Sequence, residues 1–301
     1  MAHRFGFSVL ISVGALAIGC TAVWAQQGGR GGGPPDAQAV APVDLTGYWV
    51  SVITEDWRFR MVTPPKGDFT SVPLNPAGIN AVSQWDPAKD IAAGEQCRAF
   101  GAGGIMRMPV RLHITWQDAT TLKIEIDNGN QTRLLHFDPA AQAPAKPDWQ
   151  GLSLASWELF GPGQGVAAAA AGGGNRAGAG GGPPPGGGAN GGGRGRGPGR
   201  GMAAGPQFSG SLKVVTTKMR PGYVRRNGVP YSANATFTEY FDRIEEPNQD
   251  SWLVETALLD DPQYYQVPFL VTNHYKREPD GSKFNRRPCE VTMPVDGVHG
   301  Q

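Results

Sequence analysis

The chain has 301 residues, with 27 lysines and arginines against 26 aspartates and glutamates, so its formal net charge is +1 at pH 7. Because this balance lacks the basic excess of a nucleic-acid-binding domain, we expect no nucleic-acid partner. The length is sufficient for one sizeable apolar core.

The first 25 residues predict a secretory signal peptide. An apolar run over 5–19 is shorter than the roughly 20 residues of a membrane-spanning helix, and small residues follow at 23–25. As an alternative, residues 17–20 loosely resemble a bacterial lipobox, in which Cys20 would carry the lipid. We therefore predict a periplasmic or secreted protein, or a lipoprotein anchored to the membrane through Cys20.

Two segments have the composition of disordered chain. Residues 26–43 form a leader rich in Gly, Pro and Ala, and residues 161–206 are almost entirely Gly, Ala and Pro with four arginines and no acidic residue. Such segments bury too little apolar surface to offset the entropy of ordering them. The sequence thus predicts one domain formed by 44–160 and 207–301 and split by a disordered insert. The arginines of the insert suit contact with anionic envelope or membrane surfaces.

The two halves of this domain contain alternating apolar and polar residues, which is typical of half-buried strands. A turn at 127–130 and strict alternation before it predict a three-stranded meander over 110–137. Further strands are predicted at 45–53, 57–62, 152–159, 209–219, 235–243, 252–258 and 269–275. One short helix is predicted after Asn75, which can cap it, with Pro76 in the first turn. About ten strands and a single helix favour an all-β fold, a single antiparallel β-barrel.

Cys97 and Cys289 remain after removal of the signal peptide. Two thiols in an oxidising compartment usually pair, so we predict a disulfide that joins the two halves of the domain across the insert. The alternative is a reactive Cys97 in the loop 94–108, but no second cysteine or base lies near it in the sequence.

Short motifs resemble those of lipocalin-like (calycin-type) barrels. Gly47-Tyr48-Trp49 resembles the opening motif, in which the tryptophan closes one end of the barrel, and Thr238-Glu239-Tyr240 is similar to a second motif that has Asp in the middle. Arg243 or Arg277 would then be the basic residue that packs on the tryptophan. The resemblance implies a cavity for a small apolar ligand. The chain also resembles a group of uncharacterised exported bacterial proteins at 45–49, 94–97 and 261–264, a resemblance that implies no activity.

Three histidines lie on predicted strands and are candidate ligands for Zn or Cu: His113, His136 and His274. Met106 and Met108 would add soft ligands for Cu(I). The alternative is that each histidine is solvated or hydrogen-bonded on a polar strand face.

Arg58 and Arg60 share one face of the predicted strand 57–62. If this face turns inward, the two arginines can bind a carboxylate, with Trp116 or Tyr240 stacking on the ligand and Trp252 lining the same cavity. If it turns outward, the arginines form a solvated face that covers apolar neighbours.

These patterns favour an exported, non-catalytic protein that binds a small apolar or aromatic ligand in a barrel cavity, without a cofactor. The first alternative is a barrel enzyme, an isomerase or hydrolase, with Glu55, Asp56 or His113 as general base. A second alternative is a metal-binding protein that uses the three histidines, and a third is a structural envelope protein with no pocket. The sequence leaves the oligomeric state open.

Overall fold

A computed structural model describes residues 36–160 and 209–295, which belong to one compact unit. The predicted signal peptide, Cys20 and the insert 161–206 lie outside the described residues. The predicted leader 26–43 is described from residue 36 onward. There Ala37 is buried, and its carbonyl oxygen accepts a hydrogen bond of 2.9 Å from Trp157 Nε1, so the end of the leader packs on the barrel.

The fold is a closed barrel of nine strands, in the order β1-β12-β11-β10-β7-β6-β5-β3-β2, which closes where β2 pairs with β1. The barrel strands are β1 (Gly47–Val52), β2 (Arg111–Asp118), β3 (Thr121–Ile126), β5 (Gln131–His136), β6 (Leu152–Phe160), β7 (Ser209–Thr217), β10 (Thr236–Glu245), β11 (Ser251–Asp260) and β12 (Phe269–Glu278). Outside the barrel, β4 (Asn128–Gly129) pairs with β13 (Arg287–Pro288), and β8 (Gly222–Arg225) pairs with β9 (Val229–Tyr231).

The prediction of a β-barrel is confirmed, but the barrel is mixed rather than purely antiparallel and has nine strands instead of about ten. β5 and β6 run parallel and pair only at Leu135↔Ser153 and His136↔Leu154. Parallel neighbours require a crossover connection, here residues 137–151. Apolar alternation shows which residues face inward but carries no information on strand direction, so the sequence did not predict this pair.

The segment between β1 and β2 contains more helix than predicted. The helices are α1 (Trp57–Arg60), α2 (Pro76–Gln84), α3 (Pro87–Ala92), a 3₁₀ turn (Arg98–Phe100) and α4 (Ala102–Ile105). The predicted helix is α2, where Asn75 Oδ1 accepts a hydrogen bond of 3.0 Å from Gly78 N. The predicted strand 57–62 is wrong. Asp56 has a left-handed φ of 51° and α1 starts directly after it, so Arg58 and Arg60 do not share a strand face.

Two apolar clusters fill the two ends of the barrel. One surrounds Trp49, Leu112 and Phe241, and the other combines Phe237 and Leu259 with residues from α2, α4 and β8. The helical segment contributes to both clusters, because Phe100 and Ile105 belong to the first. Between the clusters, the inward faces of the strands carry charged residues, which are described below.

The predicted disulfide is present: Cys97 and Cys289 are bonded, with their Cα atoms 5.1 Å apart. It ties the segment before the 3₁₀ turn to the C-terminal segment after β12. Within residues 36–160 and 209–295, no helix is long and apolar enough to cross a membrane.

Candidate functional site

A cluster of four arginines lies where the helical segment meets the β8–β9 hairpin. Arg60 ends α1 and is 2% exposed. Its Nε donates a hydrogen bond of 2.8 Å to the carbonyl oxygen of Arg107, but its Nη1 and Nη2 have no hydrogen-bond partner. The short helix thus directs a guanidinium group into the protein and leaves most of its donors unused.

Arg107, Arg225 and Arg226 complete this arginine cluster. Arg225, at the end of β8, is 2% exposed, and its Cζ lies 4.0 Å from the centre of the Phe59 ring. Its Nη1 donates to Thr70 O over 2.8 Å, whereas its Nε and Nη2 have no partner. Arg226 Nη2 donates to Arg60 O over 2.7 Å, which ties the hairpin to α1.

The cluster has a local excess of positive charge. Among the described residues, Asp56 alone forms an ion pair with it, through Arg107 Nη2 at 3.0 Å. Burial, and next the charge of Arg107, lower the pKa of Arg225 to about 10, and the same two causes lower the pKa of Arg60. Desolvated cations without counter-ions are unfavourable, so the site is electrostatically suited to an anion.

The arginines line a void of about 10 Å³, which is close to the space of a single water molecule. Its lining consists of Phe59, Arg60, Gly104, Arg107, Met108, Val224, Arg225 and Arg226. The void can therefore hold one water-sized group, such as a single oxygen atom of an acidic group, while its other walls are apolar.

A second polar group lies inside the barrel, between the two apolar clusters. Arg133 on β5 and Glu239 on β10 form a bidentate ion pair of 2.6 and 2.5 Å, and neither residue is exposed. Thr216 Oγ1 accepts from Arg133 Nη2 over 3.3 Å and lies 2.7 Å from Ser153 Oγ. This buried network connects four strands of the wall.

Glu255 on β11 belongs to the same layer and is fully buried. Its Oε2 accepts a hydrogen bond of 2.9 Å from Asn273 Nδ2 on β12. Burial, and next the negative charge of Glu239, raise the pKa of Glu255 well above its ordinary value. The carboxyl group therefore favours its protonated form and can donate a proton inside the barrel.

The residues predicted to line a ligand cavity do not come together. Arg58 is half-buried, with its Cζ 4.4 Å from the centre of the Phe59 ring, and Trp116 lies in an aromatic group with Phe137 and Trp157. Tyr240 and Trp252 lie on the outer faces of their strands, because their neighbours on each side are the buried, inward residues. Of the predicted set, only Arg60 belongs to the arginine cluster.

The three predicted histidine ligands lie apart. His113 stacks on Tyr48 with a centroid distance of 4.1 Å and lies 3.1 Å from Glu125 Oε2, and His274 contacts Thr54. His136 lines an outer cleft. Within the described residues, no group of three or more His, Cys, Asp or Glu side chains is arranged to hold a metal ion. Met106 and Met108 are buried in the apolar core.

The three residues proposed as general bases each form a hydrogen bond or an ion pair with another side chain. Glu55 Oε1 accepts a hydrogen bond from Thr272, Asp56 pairs with Arg107, and His113 contacts Glu125. Glu239 and Glu255, which point into the barrel, were missed as candidates by the sequence analysis. The sequence does contain a signal for them. Each occupies an inward position of a strongly alternating strand, where the other inward residues are buried.

The predicted partners of Trp49 are both present. The guanidinium carbons of Arg277 and Arg243 lie 5.6 and 6.0 Å from the centre of its ring system.

Comparisons of the chain with protein-family models, with curated proteins and with solved structures gave no match. The resemblance to lipocalin-like barrels therefore stays a prediction.

Proposed function

We propose that this chain is an exported, non-catalytic binding protein, and that its arginine cluster holds the carboxylate of a small organic ligand. The observation that supports this proposal is the set of four unpartnered guanidinium nitrogens on buried side chains: Nη1 and Nη2 of Arg60, and Nε and Nη2 of Arg225. A carboxylate accepts several such hydrogen bonds at once and compensates the charge of the desolvated arginines.

The apolar walls of the void suggest what accompanies the carboxylate. Phe59, Met108 and Val224 lie beside the arginines. A ligand with a compact acidic group and an apolar or aromatic body suits the chemistry of this lining and agrees with the class of ligand predicted from the sequence. The void holds one water-sized group, so it must widen to admit the body of such a ligand. In a lipocalin-like carrier the ligand would occupy the barrel bore, but here packed side chains and the Arg133–Glu239 pair lie in the bore. The proposed site therefore lies outside the bore, where the helical segment meets the β8–β9 hairpin.

Thermal unfolding with added acetate, benzoate, octanoate or inorganic phosphate, at constant ionic strength, tests the proposal. A ligand that binds the folded state raises the melting temperature in a concentration-dependent manner. We expect benzoate or octanoate to raise it in the parent protein and in Arg286→Gln, a control that removes an exposed arginine which pairs with Glu125 and does not line the void. Arg60→Gln and Arg225→Gln should abolish the shift.

Two outcomes contradict the proposal. Equal shifts in the parent and in both cluster variants would mean that the acids bind elsewhere, and no shift with any acid would favour the structural role. Near-ultraviolet circular dichroism of each variant checks that the fold is intact. Native mass spectrometry of protein purified from its own source would identify a retained acid directly.

A second candidate function, that of a barrel enzyme, is favoured by one observation. Glu255 is a buried carboxyl group of raised pKa beside the Arg133–Glu239 pair, which is the environment of a general acid. The test is NMR of a ligand recovered with the protein and incubated with it in D₂O. Deuterium incorporation that Glu255→Gln abolishes would support catalysis, and no incorporation in the parent would exclude proton abstraction from that ligand.

A further inference from the structure

One edge of β5 lacks a strand partner along four of its six residues. On one side, β5 pairs with β3 from Gln131 to His136. On the other side, the parallel strand β6 pairs only with Leu135 and His136. The wall of the barrel is therefore open beside Gln131–Leu134, although the sheet order is closed.

The hydrogen-bond pattern shows which backbone groups face this opening. Phe137 N donates to Thr120 O over 2.8 Å, so Thr120 and Phe137 form a hydrogen-bonded pair that extends the β3–β5 ladder by one residue. Because hydrogen-bonded pairs alternate in an antiparallel ladder, Arg133 and Leu135 direct their backbone groups toward β3, whereas Thr132 and Leu134 direct theirs to the open edge. Within the described residues, the N–H groups of Thr132 and Leu134 and the C=O group of Thr132 have no partner on that side.

The open edge forms one wall of a cleft of about 260 Å³. The residues that line it are Thr132, Leu134, His136, Gln142, Pro144, Asp148, Gln150, Gly151, Leu152 and Ser153. The facing wall is held in place by Asp148, whose Oδ1 accepts hydrogen bonds from Gln150 N and Gly151 N over 2.9 and 2.7 Å. The cleft is thus a fixed feature of the crossover between β5 and β6.

A buried side chain also offers an unused acceptor in the lining of the cleft. Gln150 is 8% exposed, and its Nε2 donates to Phe100 O and Gln131 Oε1 over 2.9 and 3.1 Å. Its Oε1 has no partner. A buried amide oxygen without a hydrogen bond is unfavourable, so a ligand with a donor gains at this position.

We propose that this cleft binds an extended peptide, which adds to the free edge of β5 as a short strand. Only a peptide backbone presents C=O and N–H groups at the spacing of Thr132 and Leu134 along one edge. The peptide carbonyls accept from these two N–H groups, a peptide N–H donates to Thr132 O, and a further donor reaches Gln150 Oε1. Leu134 and Leu152 provide an apolar surface for one side chain. This site is independent of the arginine cluster.

The test uses the full-length, oxidised chain and an equimolar pool of acetylated and amidated tetrapeptides with varied side chains. NMR of the ¹⁵N-labelled protein follows the amide signals of Thr132 and Leu134, and hydrogen exchange measures their protection. We expect both signals to move and both amides to exchange about tenfold more slowly at saturation. Two further pools carry N-methyl groups, one on every amide and the other on alternate amides. Methylation of every amide should abolish binding, whereas alternate methylation leaves one edge of the peptide free to pair with β5 and should leave binding unchanged.

A pair of variants tests the protein side. Thr132→Pro removes the N–H group that faces the cleft and no donor to β3, and proline is tolerated at free strand edges. It should abolish binding, whereas Thr132→Val, which keeps the N–H group, should bind as the parent does. If Thr132→Pro does not fold, the methylated pools still decide the question.

Four results would overturn the proposal. Failure of the unmethylated pool to bind would exclude a peptide site, and binding of the fully methylated pool would exclude strand addition. Slow exchange of Thr132 and Leu134 in the free protein at every concentration would mean that the chain covers its own edge. Protection that grows with protein concentration would show that a second copy occupies the cleft.

Discussion

The guanidinium group of Arg133 and the carboxylate of Glu239 form a bidentate ion pair across the bore of the barrel. β5 and β10, which carry them, are separated by β6 and β7 in the strand order, so the pair joins walls that are not neighbours. Burial opposes the charge on Arg133, but Glu239 outweighs this effect and raises the pKa of Arg133. Arg133 therefore stays charged in the interior, where it and Glu239 are each other's ion-pair partner.

Removing one member of this pair should destabilise the protein strongly. Arg133→Met leaves Glu239 buried without its counter-ion, and loss of one partner of a buried ion pair typically costs about 3–5 kcal/mol. Urea unfolding measures this loss. Because a well-packed apolar pair replaces a buried ion pair at little cost, the double variant Arg133→Met/Glu239→Leu should recover much of the stability. A double variant as unstable as the sum of both single variants would show that Arg133 and Glu239 contribute to stability independently, without coupling between them.

Glu255→Gln should stabilise the protein relative to the parent as the pH rises. The folded-state pKa of Glu255 lies above its unfolded value, so its contribution to stability is complete below the unfolded pKa and is lost as the pH rises through the folded pKa. The neutral amide avoids this loss and can replace the carboxylic O–H as a donor. The stability difference should grow by up to about 1.4 kcal/mol per pH unit above roughly pH 4.3.

The measurement for Glu255→Gln is the free energy of unfolding of both proteins across that pH range. Groups from several strands and from α1 face Glu255 or interact with its charge: Glu239, Arg133, Asn273, Tyr275 and Arg60. Asn273→Asp is the matched control, because it adds a carboxyl group beside Glu255 and should steepen the loss of stability. A difference between Glu255→Gln and the parent that does not change with pH would show that Glu255 is ionised when folded.

Alternation predicted the barrel because it reports burial directly, residue by residue. The strand 122–127 and the strands on either side of it were predicted within a few residues, and the turn at 127–130 had clear chemistry. The disulfide followed from the cysteine count and the predicted export. Helix α1 was missed, because Trp57–Arg60 spans a single turn, too short for helical and strand periodicities to differ.

The candidate site was only partly predictable. Arg60 was identified, but Arg107 and Arg225 are distant from it in the sequence, and only the packing of α4 and β8 brings them together. The parallel pairing of β5 and β6, which creates the cleft, depends on how the crossover 137–151 folds. By contrast, the sequence itself shows Glu239 as a charged residue at an inward position of the alternation, between Phe237 and Phe241. Such a position requires an inward partner, although the sequence does not say which one.

Loss of the disulfide should lower stability and loosen the C-terminal segment. Cys97 and Cys289 are 192 residues apart, and the loop-entropy model gives about 5 kcal/mol for a loop of this size. The variant Cys97→Ser/Cys289→Ser should lose this much or less in urea unfolding. Hydrogen exchange should also quicken at Arg287, whose N–H donates to Asp127 O over 2.8 Å beside the bridge. Unchanged stability after reduction would mean that packing on the apolar cluster around Trp49, which Cys289 contacts, holds the segment without the bridge.

Deletion of residues 161–206 should leave the barrel intact. β6 and β7 are adjacent and antiparallel, and their register ends at Phe160↔Ser209, so the two strand ends lie opposite each other. A short Gly/Ser link can therefore close the hairpin without distorting either strand. Loop-closure entropy varies only logarithmically with length, so the free energy of unfolding should change by about 1 kcal/mol.

Chemical denaturation of the deletion variant and the parent measures this difference. As a control for the new junction, a second variant should carry the same Gly/Ser link inserted beside residue 161 with the segment retained. A loss of several kcal/mol in the deletion variant alone would show that residues 161–206 contribute packing to the barrel, against the prediction that they are a disordered insert.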